Sequence, residues 1–422
     1  MWGWRSRSAS RCFVPLPAKL PPPPPAGIIH LTLWHGINPP PNRDVFQELV
    51  DTFNREHAEI EVEALYVGQS DQQMPKVLTA VIGGEPPDIL WFSPTATGQF
   101  VELQALRSLD DWFAQLPASQ QLDPALLESM RFEGQLWSVP MATNNMGLFY
   151  RPSLFAAAGI TELPRTWAEW RDAARKLTRD RDGDGQPEQY GMLLPLGKGE
   201  WSVFSWLPFL YSAGGEIVAN GAPTLIDPGA VAALQLWSDL LADGSALLSQ
   251  PERGYEQDAF ISGRVAMQLT GPWTLGFLPE TPVGDDFAVL PIPQQAQPAT
   301  VLGGESLFVM QTTPEREQAA LEFLAYALSE EFQTRWALGT GYLPVNLAAR
   351  ASQTYQDYVA QQPVLRVFLD QMAAGRSRPI LPGYARLSDS LGRAIEAVLL
   401  GDDPEVALAR SQQRLELIWR RD

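Results

Sequence analysis

The 422-residue sequence contains a single cysteine, Cys12, and only three histidines, His30, His35 and His57. One thiol excludes an intrachain disulfide and a cysteine metal cluster, and so few imidazoles leave a zinc centre short of ligands. Basic residues are scarce as well: 31 Lys plus Arg stand against 49 Asp plus Glu, a net charge of -18. With no basic stripe in that balance there is no footprint for a phosphate backbone, so nucleic acid is not expected as a partner. Beyond the N-terminus there is no run of about 18 apolar residues, so nothing is expected to span a membrane. No repeat or tail supports a structural adhesin.

What is present is ample apolar material. Hydrophobic residues make up 45%, with 14 tryptophans, enough for two or three packed domains at about 150 residues each. Residues 1–27 stand apart. Met1 to Leu20 is rich in Arg and Ser and lacks acids, but its apolar part, Cys12 to Leu16, is short and broken by Pro15 and Pro17, and the run Pro21 to Pro25 follows. This reads as a disordered or atypical targeting segment, or as a displaced start, followed by an extended proline spacer.

Order is expected from Ile28. Ile28 to Trp34 is a β-rich run ending at His35-Gly36, and a helix follows with Val45, Phe46, Leu49, Val50 and Phe53 on one face. A strand at Ile60 to Val67, a helix at Met74 to Ile82 and a buried strand at Pro87 to Phe92 continue the alternation. That pattern predicts an α/β fold with a mostly parallel sheet and a ligand crevice at the strands' carboxyl ends, where His35, Asp71 and Ser93 fall. No Gly-Ser linker separates a second unit, so two lobes sharing crossing strands are expected.

Two later stretches carry chemistry. Trp201 to Tyr211 reads as an amphipathic aromatic helix presenting Trp201 and Phe204 on one side. Tyr255 to Trp273 reads as a short helix, a Ser262-Gly263 turn, a strand from Val265, and a Gly271-Pro272 corner that holds the Trp273 indole in a fixed direction. Between these elements and the first lobe lies the loop Asp180, Asp182, Asp184, Glu188. Its alternate carboxylates match the start of a calcium loop, but Gly191 stands where the closing bidentate Glu is needed, so a structural Ca²⁺ and a plain acidic turn are both open.

Trp34-His35, Gly84-Glu85-Pro86-Pro87-Asp88-Ile89, Leu148-Phe149-Tyr150, Phe260 to Trp273, Gly303 to Leu307, Gly341 to Val345 and Gly383 to Arg386 occur in this order over roughly Ile28 to Trp419. In that arrangement the sequence resembles the maltose-binding-protein-like extracellular solute-binding proteins of carbohydrate ABC importers, most of all their glycerol-3-phosphate-binding branch. The resemblance implies a type II periplasmic-binding-protein fold, two discontinuous lobes with a cleft between them. It implies one lobe of 28–144 plus 291–311 and another of 145–290 plus 312–422.

By position, the resemblance implies ligand contacts from His35, Asp71, Ser93, Asn144, Trp201, Phe204, Trp273, Gly303, Gly304, Glu305, Tyr342 and Arg386. Asp71 stands where the glycerol-phosphate binders have Glu, and Trp273 where they have a small residue and the sugar binders a stacking tryptophan. The expected protein is not an enzyme. It is an extracytoplasmic, monomeric binder that closes on a sugar or glycoside and presents it to a membrane permease, with no cofactor except the open question of Ca²⁺. The alternatives are a glycerol-3-phosphate or glycerophosphodiester binder and, more remotely, a glycoside hydrolase using Asp71 and Glu305, for which no hydrolase motif is present.

Overall fold

The structure, a computed structural model, describes residues 27–117, 122–251, 253 and 255–419. The expected targeting segment therefore lies outside the described residues except for Gly27. Two five-stranded sheets form the two lobes. In the first the strand order is Ile60–Tyr66, Ile29–His35, Ile89–Phe92, Ser306–Val309, Ser138–Pro140, and in the second Ala246–Leu248, Tyr190–Leu194, Val265–Thr270, Gly147–Tyr150, Ala288–Leu290.

Each sheet has one reversed strand, Ser306–Val309 in the first and Gly147–Tyr150 in the second, antiparallel to both neighbours. Both are strands by which the chain enters a lobe from the other. The parallel strands end at the cleft, so a strand coming in from that side must run the opposite way. A small third sheet spans the junction, with Thr300–Gly303 antiparallel to Asn144–Asn145 and parallel to Gly375–Ser377.

Alternation of side chains puts apolar layers on both faces of each sheet. Leu31, Leu33, Trp91 and Leu307 face one layer of the first lobe, while Leu90, Phe92 and Phe308 face the other. In the second lobe Leu148, Met192 and Leu194 pack on one side, and Phe149, Leu193 and Val289 on the other. The helix Pro40–Glu56 starts on its two prolines, where their missing N–H groups cost nothing, and buries Phe46, Leu49, Val50 and Phe53.

Two expectations need correction. The boundary at 311 is misplaced: the helices Pro314–Ala327 and Glu330–Thr340 pack on the first lobe. Phe323 meets Phe53 at 5.1 Å and Trp336 meets Phe46 at 6.1 Å between ring centres, and Arg316 Nη2 donates to the buried Asp88 at 2.6 Å. The apolar faces of these helices complete the first core, and the chain makes a third crossing near Leu343, which bridges to Thr143. The helices from Gln353–Gln361 onward join the second lobe, through Tyr355, Leu365, Phe368 and Leu391, and Ala337 of the helix Glu330–Thr340 also touches the layer of Tyr355. The second correction concerns the helix Glu200–Ser212. Trp201 and Phe204 reach the cleft and Trp206 and Phe209 pack, as expected, but the helix has no solvated face, because every residue from Ser202 to Ser212 is buried.

Candidate functional site

A cleft open to solvent lies where the three crossings meet. Of the twelve residues expected to meet a ligand, nine line it: Ser93, Asn144, Trp201, Phe204, Trp273, Gly303, Gly304, Glu305 and Tyr342. They arrive from separate elements. Ser93 follows the strand Ile89–Phe92, Asn144 and Gly303 lie on paired crossing strands with Gly304 next in the chain, and Trp201 and Phe204 share the first turns of a buried helix.

The glycines have specific reasons to be glycines. Gly304 takes φ +115°, and a Cβ there would meet the Ala142 carbonyl oxygen at 2.2 Å; at Gly303 it would meet Asn144 Oδ1 at 2.4 Å and the Phe204 ring at 2.7 Å. Gly271 is equally constrained, because the Trp273 indole folds back over it and leaves only 2.0 Å to a built Cβ. That fold puts the indole on the cleft lining while it packs against the edges of both lobe cores. Its ring stands at 77° to Trp201, 6.1 Å away, and 6.3 Å from Tyr342. Asn42 Nδ2 donates to the Trp273 carbonyl at 3.2 Å, fixing the corner against the first lobe.

The polar groups are arranged around this aromatic wall. Asn144 Oδ1, Gln257 Oε1, Glu305 Oε2, Trp201 Nε1 and Arg378 Nε are buried and have no hydrogen-bond partner among the described residues. Several core tryptophans also have unpaired Nε1 atoms, so the weight falls on the other four. A buried acceptor or donor left unpaired costs about 1–3 kcal/mol; such atoms also occur away from the cleft, as at Gln73 Oε1 and Gln268 Oε1, but these four belong to cleft-lining residues, where a polar ligand can pair them. Burial pushes the Glu305 carboxyl up to about 7 against the opposing pull of Arg378. Burial, with Glu305 adding to it, holds the Tyr342 hydroxyl well above its ordinary value.

The cleft cation is Arg378, not Arg386. Arg386 sits half-buried in the helix Tyr384–Leu399, engaged within the protein and off the cleft lining. Arg378 leaves the strand Gly375–Ser377, lies 4.9 Å over the Phe204 ring, and places Nη1 2.6 Å from Glu200 Oε1. Sequence reasoning missed both partners of this pair, which are 178 positions apart. The one available signal was the acid immediately before the cleft tryptophan Trp201.

His35 also departs from expectation. It is 4% exposed, packs edge-on against Phe46 at 5.2 Å, and accepts the Ile37 N–H at Nδ1. Desolvation, then the nearby Arg43 charge, lowers its pKa to about 4. It is a neutral, structural imidazole, and the adjacent Gly36 lines the cleft instead. Asp71 lies in the first turn of the helix Ser70–Ile82, and its side chain is outside what the structure describes.

In the acidic loop, carboxylate oxygens of Asp180, Asp182 and Glu188 converge within 4.8 Å, and Asp184 does not join them. Asp180 accepts the N–H groups of Gly183 and Gly185, and Glu188 that of Arg181. These carboxylates hold the exposed turn by capping its amides.

The chain is similar to two solved sugar-binding structures. One is the cyclic alpha-maltosyl-1,6-maltose binding protein of Arthrobacter globiformis, 27% identical over 94% of this chain and 100% of that one, TM-score 0.77. The other is the GacH receptor of Streptomyces glaucescens, solved unliganded and with acarbose, 25% identical over 92% and 98%, TM-score 0.81. The sn-glycerol-3-phosphate-binding periplasmic protein UgpB of Brucella melitensis is 23% identical over 91% of this chain and 92% of its own length. Such full-length likeness agrees with the two-lobed fold and the inter-lobe cleft. Residues 48–363 match the model of the bacterial extracellular solute-binding protein family, and the chain belongs to that family.

Proposed function

We propose that this protein binds a neutral sugar or glycoside in the inter-lobe cleft, outside the cytoplasm, and delivers it to the permease of an ABC importer. The observation that carries this reading is the composition of the cleft wall: unpaired acceptors on Asn144, Gln257 and Glu305 beside unpaired donors on Trp201 and Arg378, with Trp201, Trp273 and Phe204 as apolar faces. A polyol supplies matching O–H donors and oxygen acceptors, and a pyranose also has the C–H face that stacks on indole. The sugar-binding relatives support the class. Glycerol phosphate is the second reading, favoured by the UgpB relative and by the presence of Arg378. It is disfavoured by charge, since Arg378 already holds Glu200 and Glu305 lies beside it, leaving no net positive charge for a phosphate.

Ligand contacts made by both lobes exist together only in the closed state, so binding shifts the population toward closure. A thermal-shift panel of maltose, maltotriose, trehalose, glucosylglycerol, glycerol-3-phosphate and glycerophosphocholine tests the class. A neutral glycoside is expected to raise Tm most. A larger shift with a glycerol phosphate overturns the reading.

A further inference from the structure

We infer that Glu200 sets the charge class of the ligand by neutralising Arg378, so that the same cleft takes neutral polyols and rejects phosphate esters; this rests on the neutral-glycoside reading. Arg378 by itself is the group best shaped to read a phosphate, a planar fork that donates two parallel hydrogen bonds. Here one arm of the fork is taken. Its Nη1 donates to Glu200 Oε1 at 2.6 Å, and the Tyr384 hydroxyl donates to the same oxygen at 2.8 Å. Ser388 Oγ donates to the other carboxylate oxygen. Three donors from two elements thus hold the carboxylate in place at the first turn of the helix that carries Trp201 and Phe204.

The pair is nearly enclosed, with the Arg378 side chain 9% and that of Glu200 21% exposed, so little water is available to screen the carboxylate from an incoming anion. Arg378 keeps further N–H donors for a ligand, the buried unpaired Nε among them, but its charge is already balanced by Glu200, so it offers hydrogen bonds to hydroxyls without the net positive charge a phosphate needs. A second, otherwise similar pair shows the arrangement without the cleft. Arg376, two residues earlier on the same face, lies 4.2 Å over Tyr211 at the other end of the helix and pairs with Glu216 at 2.6 Å on the surface. Only the Glu200 pair opens onto the candidate site.

The test is a calorimetric titration of wild type and Glu200→Gln with the best neutral glycoside of the panel, sn-glycerol-3-phosphate and inorganic phosphate. Glutamine keeps the shape and still accepts from Arg378 while removing the charge. The ratio of affinities is expected to move at least tenfold toward glycerol-3-phosphate in Glu200→Gln. It is expected to stay within threefold in Tyr384→Phe, which deletes a hydrogen bond to Glu200 but keeps its charge. If the Gln variant is too unstable to titrate, Glu200→Ser removes the same charge and gives the same readout. A variant that loses both ligand classes equally, or neither, overturns the role of Glu200 and leaves the glycoside reading intact. A wild type that prefers glycerol-3-phosphate overturns both.

Discussion

Glu305 is the residue on which the chemistry of the cleft turns. Its carboxyl holds a proton up to about pH 7 in the folded chain against 4.5 ordinarily. The shift therefore adds stability below about pH 4.5 that is lost as pH rises through 7. Ligand hydroxyls that donate to the carboxylate oppose this protonation, so affinity should fall as pH drops below about 7, approaching tenfold per unit. Glu305→Gln should bind roughly tenfold to a hundredfold more weakly, since a hydrogen bond to a charged acceptor contributes about 1.5–3 kcal/mol, and its pH profile should be flat. A wild-type profile as flat as the variant's would show that the ligand does not use this carboxylate. His35 has the opposite sign. Its pKa is lowered from 6.5 to about 4, so its contribution is complete above pH 6.5 and is lost as pH falls through 4, to a limit of about 3 kcal/mol. Urea titrations between pH 7 and 4 should show a shallower loss of stability in His35→Gln than in wild type.

Among the elements, those with a strict period were legible and those defined by long-range partners were not. The strands Ile29–His35 and Ile89–Phe92 and the helix Pro40–Glu56 follow directly from their apolar spacing. The corner Gly271–Trp273 was legible because glycine and proline limit the backbone there. The helix Glu200–Ser212 offers Trp201 and Phe204 to the cleft and packs Trp206 and Phe209, as its aromatic spacing suggests; the extent of its burial, complete from Ser202 to Ser212, depends on long-range packing that the spacing does not show. Arg378 could not be chosen over Arg386 from sequence, since the choice depends on how the strand Gly375–Ser377 joins the junction sheet. The Trp273 corner gives a test at this scale. Trp273→Ala should weaken binding of the best glycoside by roughly fivefold or more, about 1 kcal/mol of stacking, and an effect within threefold would remove the platform role. Gly304→Ala, which places a Cβ 2.2 Å from the Ala142 carbonyl at a φ of +115°, should lower Tm and disturb the crossing as well as the cleft.

At the scale of the molecule, three crossings gather the ligand contacts into one junction while leaving each lobe a separate core. First-lobe Ser93, second-lobe Trp201, and Gly304 and Glu305 on a crossing meet in one cleft, so a ligand held by all of them joins the lobes. Small-angle scattering should therefore show a smaller radius of gyration at saturation with the best-binding glycoside, and an unchanged radius would contradict closure. Among the described residues no helix is long and apolar enough to cross a membrane, and the core is completed by helices that return from the second lobe's side of the sequence to the first. The central claim, that the cleft takes a neutral polyhydroxylated solute, is tested most directly by calorimetric titration of the full chain with the sugar panel and with sn-glycerol-3-phosphate. The account predicts one site per chain for a neutral glycoside, with glycerol-3-phosphate at least a hundredfold weaker, roughly 2.7 kcal/mol. Equal or tighter binding of glycerol-3-phosphate would contradict it.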